Sequence, residues 1–304
     1  MAFTFEKPIG FKFRAGQHVR MTLIDPPERD DQGDTRFYSL ACSPQDLDLA
    51  IAMRMRDTAF KRVLAALPIG GKVKIEILLN VPPGAFALHE DSKRPAVMLA
   101  GGIGIVPAYS MINDAMERRL GHTITLFYVN RRPEDAAYLR ELQTLAETNS
   151  NFTLVATMTR PETSSQSWHG ESGRIDRAML DRRLKQDRKS IFYIAGLPEM
   201  VAAAKTSLKA LKINAARIKA EEFSGFDGKG THDMRHRSLG KPIGIGLVLI
   251  VIAAIALHLG ILAVVFPHIV GLLDFKNPIL YAVGAVILIV IAIKLKFAFG
   301  GHRK

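Results

Sequence analysis

The apolar positions of this chain change their rhythm twice along its length. Over residues 1–93 they come in short alternating runs, His18–Leu23, Arg36–Ala41, Leu47–Met55 and Lys72–Leu79, separated by Gly, Pro and Asp clusters. Alternation at period two marks strands with one buried face. A single helical run, Thr58–Leu67, interrupts them and ends at Pro68-Ile69-Gly70-Gly71. Several short strands and one helix predict a small antiparallel barrel.

From Arg94 the rhythm becomes continuous apolar runs alternating with helical ones. Strands are predicted at Ala96–Ala100, Thr123–Val129, Thr153–Thr157 and Ile191–Ala195. Helices are predicted near Ala108–Arg119, Pro133–Thr148, Asp176–Leu184 and Glu199–Leu211. This is the order of a doubly wound parallel sheet, whose ligand crevice lies at the carboxyl ends of its strands. Two turns, Gly101–Gly104 and Gly196-Leu197-Pro198, stand at such ends. The first leads into a helix with Pro107 in its opening turn, an arrangement that presents free N–H groups to a phosphate.

The rhythm is lost again after Phe226. Residues 227–242 are polar and basic, a linker, and Ile243–Phe266 then runs without Asp, Glu, Lys or Arg. As a helix those residues would span about 36 Å, enough for a bilayer core. Pro267 to Pro278 mark a turn, and Ile279–Ile293 is again uncharged, reaching Phe299 if Lys294 and Lys296 snorkel. The fold class expected is therefore α+β and multidomain: a barrel over 1–93, a doubly wound α/β domain over 94–226, and a transmembrane hairpin over 243–299.

Charge supports a membrane more than a nucleic acid. Of the net +12 on 304 residues, half lies after Phe226, where nine Lys and Arg meet three Asp and Glu. Basic residues beside long apolar runs suit an anionic lipid surface, and no recognition-helix motif suggests a nucleic-acid partner. Cys42 is the one cysteine, so no intramolecular disulfide, zinc cluster or cysteine-held iron–sulfur centre belongs to this chain; no metal site is expected. The start has no apolar stretch of the secretory kind. His258 lies in the first apolar run, but the second contains no histidine to complete a haem site.

Three motifs in order resemble the ferredoxin–NADP reductase superfamily. Arg36-Phe37-Tyr38-Ser39 resembles its flavin motif RxYS; Gly101-Gly102-Ile103-Gly104-Ile105-Val106-Pro107 resembles its nicotinamide-dinucleotide turn; Gly196-Leu197-Pro198-Glu199-Met200 resembles its third motif, CGPxxM. The resemblance covers residues 1–226 and implies a flavin-binding barrel followed by an NAD(P)-binding domain. It implies FAD rather than FMN, with NADPH or NADH as hydride donor. Arg36 would pair with flavin phosphates, a task suited to a planar guanidinium. Phe37 shares that strand, Tyr38 would lie against the flavin ring, and Ser39 would bond near its hydride-accepting nitrogen. Arg54, Thr58 and Lys61 fall in the second flavin-phosphate segment. Glu222-Phe223-Ser224-Gly225-Phe226 resembles the terminal segment, in which Phe223 or Phe226 would cover the flavin and Glu222 would join Tyr38 and Ser39 in catalysis. Thr159 and Arg160, with Arg131, Arg132 and Arg174 as helpers, stand where NADP-using relatives carry 2′-phosphate ligands.

The chain departs from the family pattern at Ala195, where cysteine is usual, at Val106, often threonine, and at the longer turn Leu78–Pro83. The function expected is a membrane-anchored reductase that passes a hydride from NAD(P)H to FAD and electrons onward. The acceptor is a separate protein or small molecule, such as a ferredoxin-like protein, a haem protein, a quinone or ferric iron. The alternative is a flavin- or nucleotide-binding regulatory or electron-transfer subunit with little turnover.

Lys229, Arg235, Arg237 and Lys241 precede the first apolar run, and Lys294, Lys296, Arg303 and Lys304 close the second. Both outer ends of the hairpin are thereby expected in the cytoplasm of an inner membrane, with the catalytic domains. A reporter fused after Lys304 should be active on the cytoplasmic side, and one within Leu273–Lys276 on the other. A C-terminal reporter active only outside would defeat the hairpin.

Overall fold

The computed structural model describes residues 1–77, 86–184 and 189–223. Its centre is the strand that the sequence makes most apolar. Strands β1 (Ala2–Glu6), β2 (His18–Leu23), β3 (Thr35–Ser39), β4 (Asp48–Ala52) and β5 (Val73–Ile77), with helix α1 (Ala59–Ala66), precede it. Then come β6 (Ala96–Gly101), α2 (Ile105–Glu117), β7 (Ile124–Asn130), α3 (Leu139–Thr148), β8 (Phe152–Met158), β9 (Glu171–Ser172), α4 (Arg177–Leu184), β10 (Ile191–Gly196), α5 (Pro198–Ala210) and β11 (Ile218–Glu222).

The later strands form one parallel sheet in the order β11-β10-β6-β7-β8-β9. Side chains of β6 alternate between its two faces. Ala96, Met98 and Ala100 pack with Ile105, Ala108, Met111 and Ile112 of α2. Val97 and Leu99 pack with Met179 and Leu180 of α4 and Val201, Ala204 and Leu208 of α5. Helices on both faces explain why this strand reads as a continuous apolar run. The strand order reverses between β6 and β10, so the crevice opens there.

The barrel half is two small antiparallel sheets, β1-β4 and β3-β2-β5, joined by a bridge between Leu40 and Ile51. Val19, Met21, Leu40, Leu49, Ile51, Phe60 and Leu64 fill it. Five strands are seen among the described residues. The expected run Arg36–Ala41 is a strand only to Ser39, Leu47–Met55 only over Asp48–Ala52, and Lys72–Leu79 over Val73–Ile77. Thr58 caps α1, its hydroxyl accepting from the Lys61 amide at 3.4 Å.

Elsewhere the structure corrects the pattern. The helix expected over Pro133–Thr148 is a 3-10 turn, Pro133–Asp135, followed by α3. The break has a cause: Tyr138 is left-handed at φ 60°, its ring stacked on Tyr109 at 4.0 Å. The Tyr128 hydroxyl donates to Ala137 O, tying down the irregular segment. The edge strands β9 and β11 were not predicted; β11 reads Ile-Lys-Ala-Glu-Glu, whose charges hide its period. The linker 227–242, the hairpin 243–299, His258, Phe226 and the Pro82-Pro83 turn lie outside the described residues. Among the described residues, no helix is long and apolar enough to cross a membrane.

The turn after β6 presses against the end of β10. A Cβ on Gly104 would sit 2.3 Å from Ala195 O and 2.7 Å from Gly196 N. Both neighbours are backbone, which cannot rotate away. Gly104→Ala should therefore destabilise the chain by about 1–3 kcal/mol in urea unfolding, the range for overpacking. An unchanged midpoint would show that the turn and β10 are not in contact.

Candidate functional site

At the carboxyl ends of β6, β7, β8 and β10 lies a cavity of about 350 Å³ whose other wall is the barrel. The barrel contributes Arg36, Phe37, Tyr38 and Ser39 of β3, then Arg54, Thr58 and Lys61 between β4 and the first turn of α1. The sheet contributes Gly101, Gly102, Gly104, Arg131, Thr159, Gly196, Met200 and Phe223. Fifteen of the residues expected from sequence thus meet around one space. Four do not line it. Pro107 is buried in the first turn of α2, behind the glycine turn; Arg160, Pro198 and Glu222 are exposed. Glu222 instead receives Lys205 Nζ at 3.4 Å. The helper Arg132 is bound to Asp135 by two hydrogen bonds of 2.9 and 3.0 Å, and Arg174 is exposed.

Arg36 is held rigidly. Nη2 pairs with Asp30 Oδ1 at 2.5 Å, and Nη1 donates to the carbonyls of Gln32, Gly33 and Thr35. The guanidinium also lies 5.2 Å from the centre of the Phe60 ring. Among the described residues Nε makes no hydrogen bond, so a donor remains for an anion. Burial pushes Asp30 up, but the hydrogen bond and charge of Arg36 outweigh it and leave the carboxyl below its ordinary value.

Tyr38 is largely buried beside Phe60, and burial pushes its phenol far above the ordinary value, so it stays protonated. Burial also lowers Lys61, with the charges of Arg56 and Arg36 adding to the effect. Ser39 Oγ is buried in the cavity wall without a hydrogen-bond partner. A hydroxyl left so costs free energy, which points to a bound group as its partner. Apolar Phe37, Tyr38 and Met53 beside this hydroxyl, with cations at one end, fit a flat ring carrying a phosphate tail. Across the cavity the backbone lies bare at the glycine turn, and the amide of Asn130 is buried there without a hydrogen bond of good geometry.

Two residues behind this wall escaped the sequence reading. Ser39 pairs across the sheet with His18, and His18 Nδ1 lies 3.9 Å from Glu221 Oε1. Glu221 is 5% exposed, and neither oxygen accepts a hydrogen bond. Burial pushes its carboxyl up from 4.5 to about 8. The signal was present in the period of the strand: Phe223 lines the cavity, so the residue two before it, Glu221 rather than Glu222, shares its face.

Comparison with known proteins follows the same outline. Residues 98–206 match the oxidoreductase NAD-binding domain family. The chain is 27% identical over 222 residues to reductase component 1 of terephthalate 1,2-dioxygenase from a Comamonas species, covering 71% of this chain and 62% of that protein. It thus spans under two thirds of that relative's length. Its fold is shared with the FAD/NAD-binding domain of Vibrio cholerae nitric oxide dioxygenase (TM-score 0.61, 18% identity, 74% of this chain and 92% of that one). The fold is shared as well with a ferredoxin NADP+ reductase of Neisseria gonorrhoeae with bound FAD and NADP (TM-score 0.54, 23% identity, 74% and 92%).

The buried carboxyl makes a stability prediction. With a folded value raised to about 8, the native state holds a proton that the unfolded chain releases near 4.5, so stability falls as pH rises between those values. Glu221→Gln has no such proton to lose. Relative to the parent it should gain stability from about pH 5 to about pH 8 in urea unfolding. Equal pH slopes would mean that Glu221 is solvated.

Proposed function

We propose that this chain is an NAD(P)H-dependent, FAD-containing reductase that hands electrons to a separate acceptor. Its sequence match and shared fold support a place among the ferredoxin–NADP reductase-like, FAD- and NAD-binding oxidoreductases. The observation that carries the reading is the buried, unpartnered Ser39 hydroxyl, set between a barrel wall rich in cations and aromatics and two glycine turns of a dinucleotide-type sheet.

FAD, when bound, supplies the capacity to take two electrons as a hydride and release them singly. The residues do the rest. Arg36, preset by Asp30, and Thr58 with Lys61 at the start of α1 bind the phosphates. Tyr38, held neutral, would offer an apolar face to the ring without bringing a charge to it. Ser39 Oγ would supply the hydrogen bond it lacks, and Phe223, on the sheet side of the cavity, would help to exclude water. Glu221 retains a proton near neutral pH and stands with His18 behind Ser39, a store from which a proton can be replaced at the Ser39 hydroxyl.

The relatives' names indicate the acceptor. Reductase and electron-transfer components of dioxygenases recur among them, so an oxygenase component or ferredoxin-like protein is the acceptor proposed. Arg131 and Thr159 in the cavity, with Arg160 beside it, favour NADPH over NADH. The uncharged runs Ile243–Phe266 and Ile279–Ile293 anchor the protein in a membrane, with the reductase domains on the cytoplasmic side.

Purified full-length protein should carry a yellow flavin that bleaches when NADPH or NADH is added without oxygen. Ser39→Ala should keep the flavin but bleach at least about tenfold more slowly, through loss of one hydrogen bond in the reacting state. Colourless protein unable to take up added FAD would defeat the reductase and leave a nucleotide-binding subunit. An unchanged bleaching rate in the variant would remove Ser39 from the reaction.

A further inference from the structure

Arg54 is a barrel residue whose side chain does not stay with the barrel. It follows β4, and its carbonyl is held by Lys61 Nζ at 2.6 Å. From there the guanidinium crosses the cavity and lies on the turn after β6. Gly102 has φ +54°, and a Cβ placed on it would stand 3.0 Å from Arg54 Nη2. The positive φ favours glycine at this position, and the absence of a side chain leaves room for the guanidinium on the turn.

The two cavity-lining arginines of the barrel are differently engaged. Arg36 is bonded to Asp30 and three carbonyls. Among the described residues the Arg54 guanidinium has no hydrogen bond and no ion pair. Asp135, a carboxylate that feels the Arg54 charge, is already bonded twice by Arg132. Arg131 lines the same side. Unbalanced positive charge over bare backbone N–H groups is the setting for a diphosphate.

We propose that Arg54 grips the pyrophosphate of the nicotinamide dinucleotide at the glycine turn, so that a residue of the flavin half reads the hydride donor. The proposal rests on the dinucleotide reading above and reassigns Arg54 from the flavin to the donor. Because the pyrophosphate is common to both donors, Arg54 sets affinity for NADH and NADPH alike, whereas a 2′-phosphate ligand would separate them.

The test is equilibrium binding of ADP-ribose to full-length, FAD-loaded protein in detergent, beside a measurement of flavin retention. ADP-ribose carries the pyrophosphate but no nicotinamide, so no turnover is needed. Arg54→Ala should weaken ADP-ribose binding roughly ten- to hundredfold, the loss of a charge-assisted contact, with flavin retention within about twofold of the parent. Arg54→Lys should recover part of the affinity. Loss of flavin with ADP-ribose affinity intact, or no change in either, overturns the proposal. A parent that holds FAD but binds no ADP-ribose overturns the dinucleotide reading itself.

Discussion

The cavity depends on how closely the β6–α2 turn approaches the end of β10. Gly104 lets the turn rest on the Ala195 carbonyl, and that contact brings the two glycine turns to one crevice. Had the turn stood off by the depth of a methyl group, the backbone at Gly101 and Gly196 would no longer form a common floor. The strand order makes the approach possible, since β6 and β10 are neighbours at the point where the order of the strands reverses.

A second contact sets the opposite wall. Ser110 of α2 donates to Cys42 O at 2.5 Å and accepts from the Gly16 amide at 3.3 Å. Both barrel groups are main chain, so the helix is fastened to the barrel backbone. Ala15, Ala41, Ala52 and Phe86 then continue the apolar core of α2. Ser39, Tyr38 and Arg36 face the glycine turns because the barrel is docked on the same helix that starts from one of them.

Most of the cavity was legible because its motifs are contiguous. Arg36–Ser39 is one strand, Gly101–Gly104 one turn, and each carries its geometry locally. What escaped depends on facing or on distance. Glu221 and Glu222 are adjacent and chemically identical, and both pair with β10; alternation along the strand turns Glu221 to the buried face and Glu222 to solvent. Asp30 becomes the partner of Arg36 only through the turn at Gly33, and His18 approaches Glu221 from the far end of the chain. The Tyr138 break reflects a stack on another helix, which no local period records. The hairpin expected over 243–299 lies outside the described residues and rests on a pattern of uncharged residues alone.

The core shared between barrel and α2 has a dynamic consequence. A seam filled by buried apolar side chains and bonded through main chain does not open as a hinge, because separating it would expose that surface to water. Entry to the crevice is therefore a matter of rotamers at its rim, where Arg54 and the exposed Leu197 stand. Such rotations take picoseconds to nanoseconds, against microseconds to milliseconds for closure of whole domains. A ligand therefore meets an entrance that rearranges orders of magnitude faster than a pair of hinged domains would.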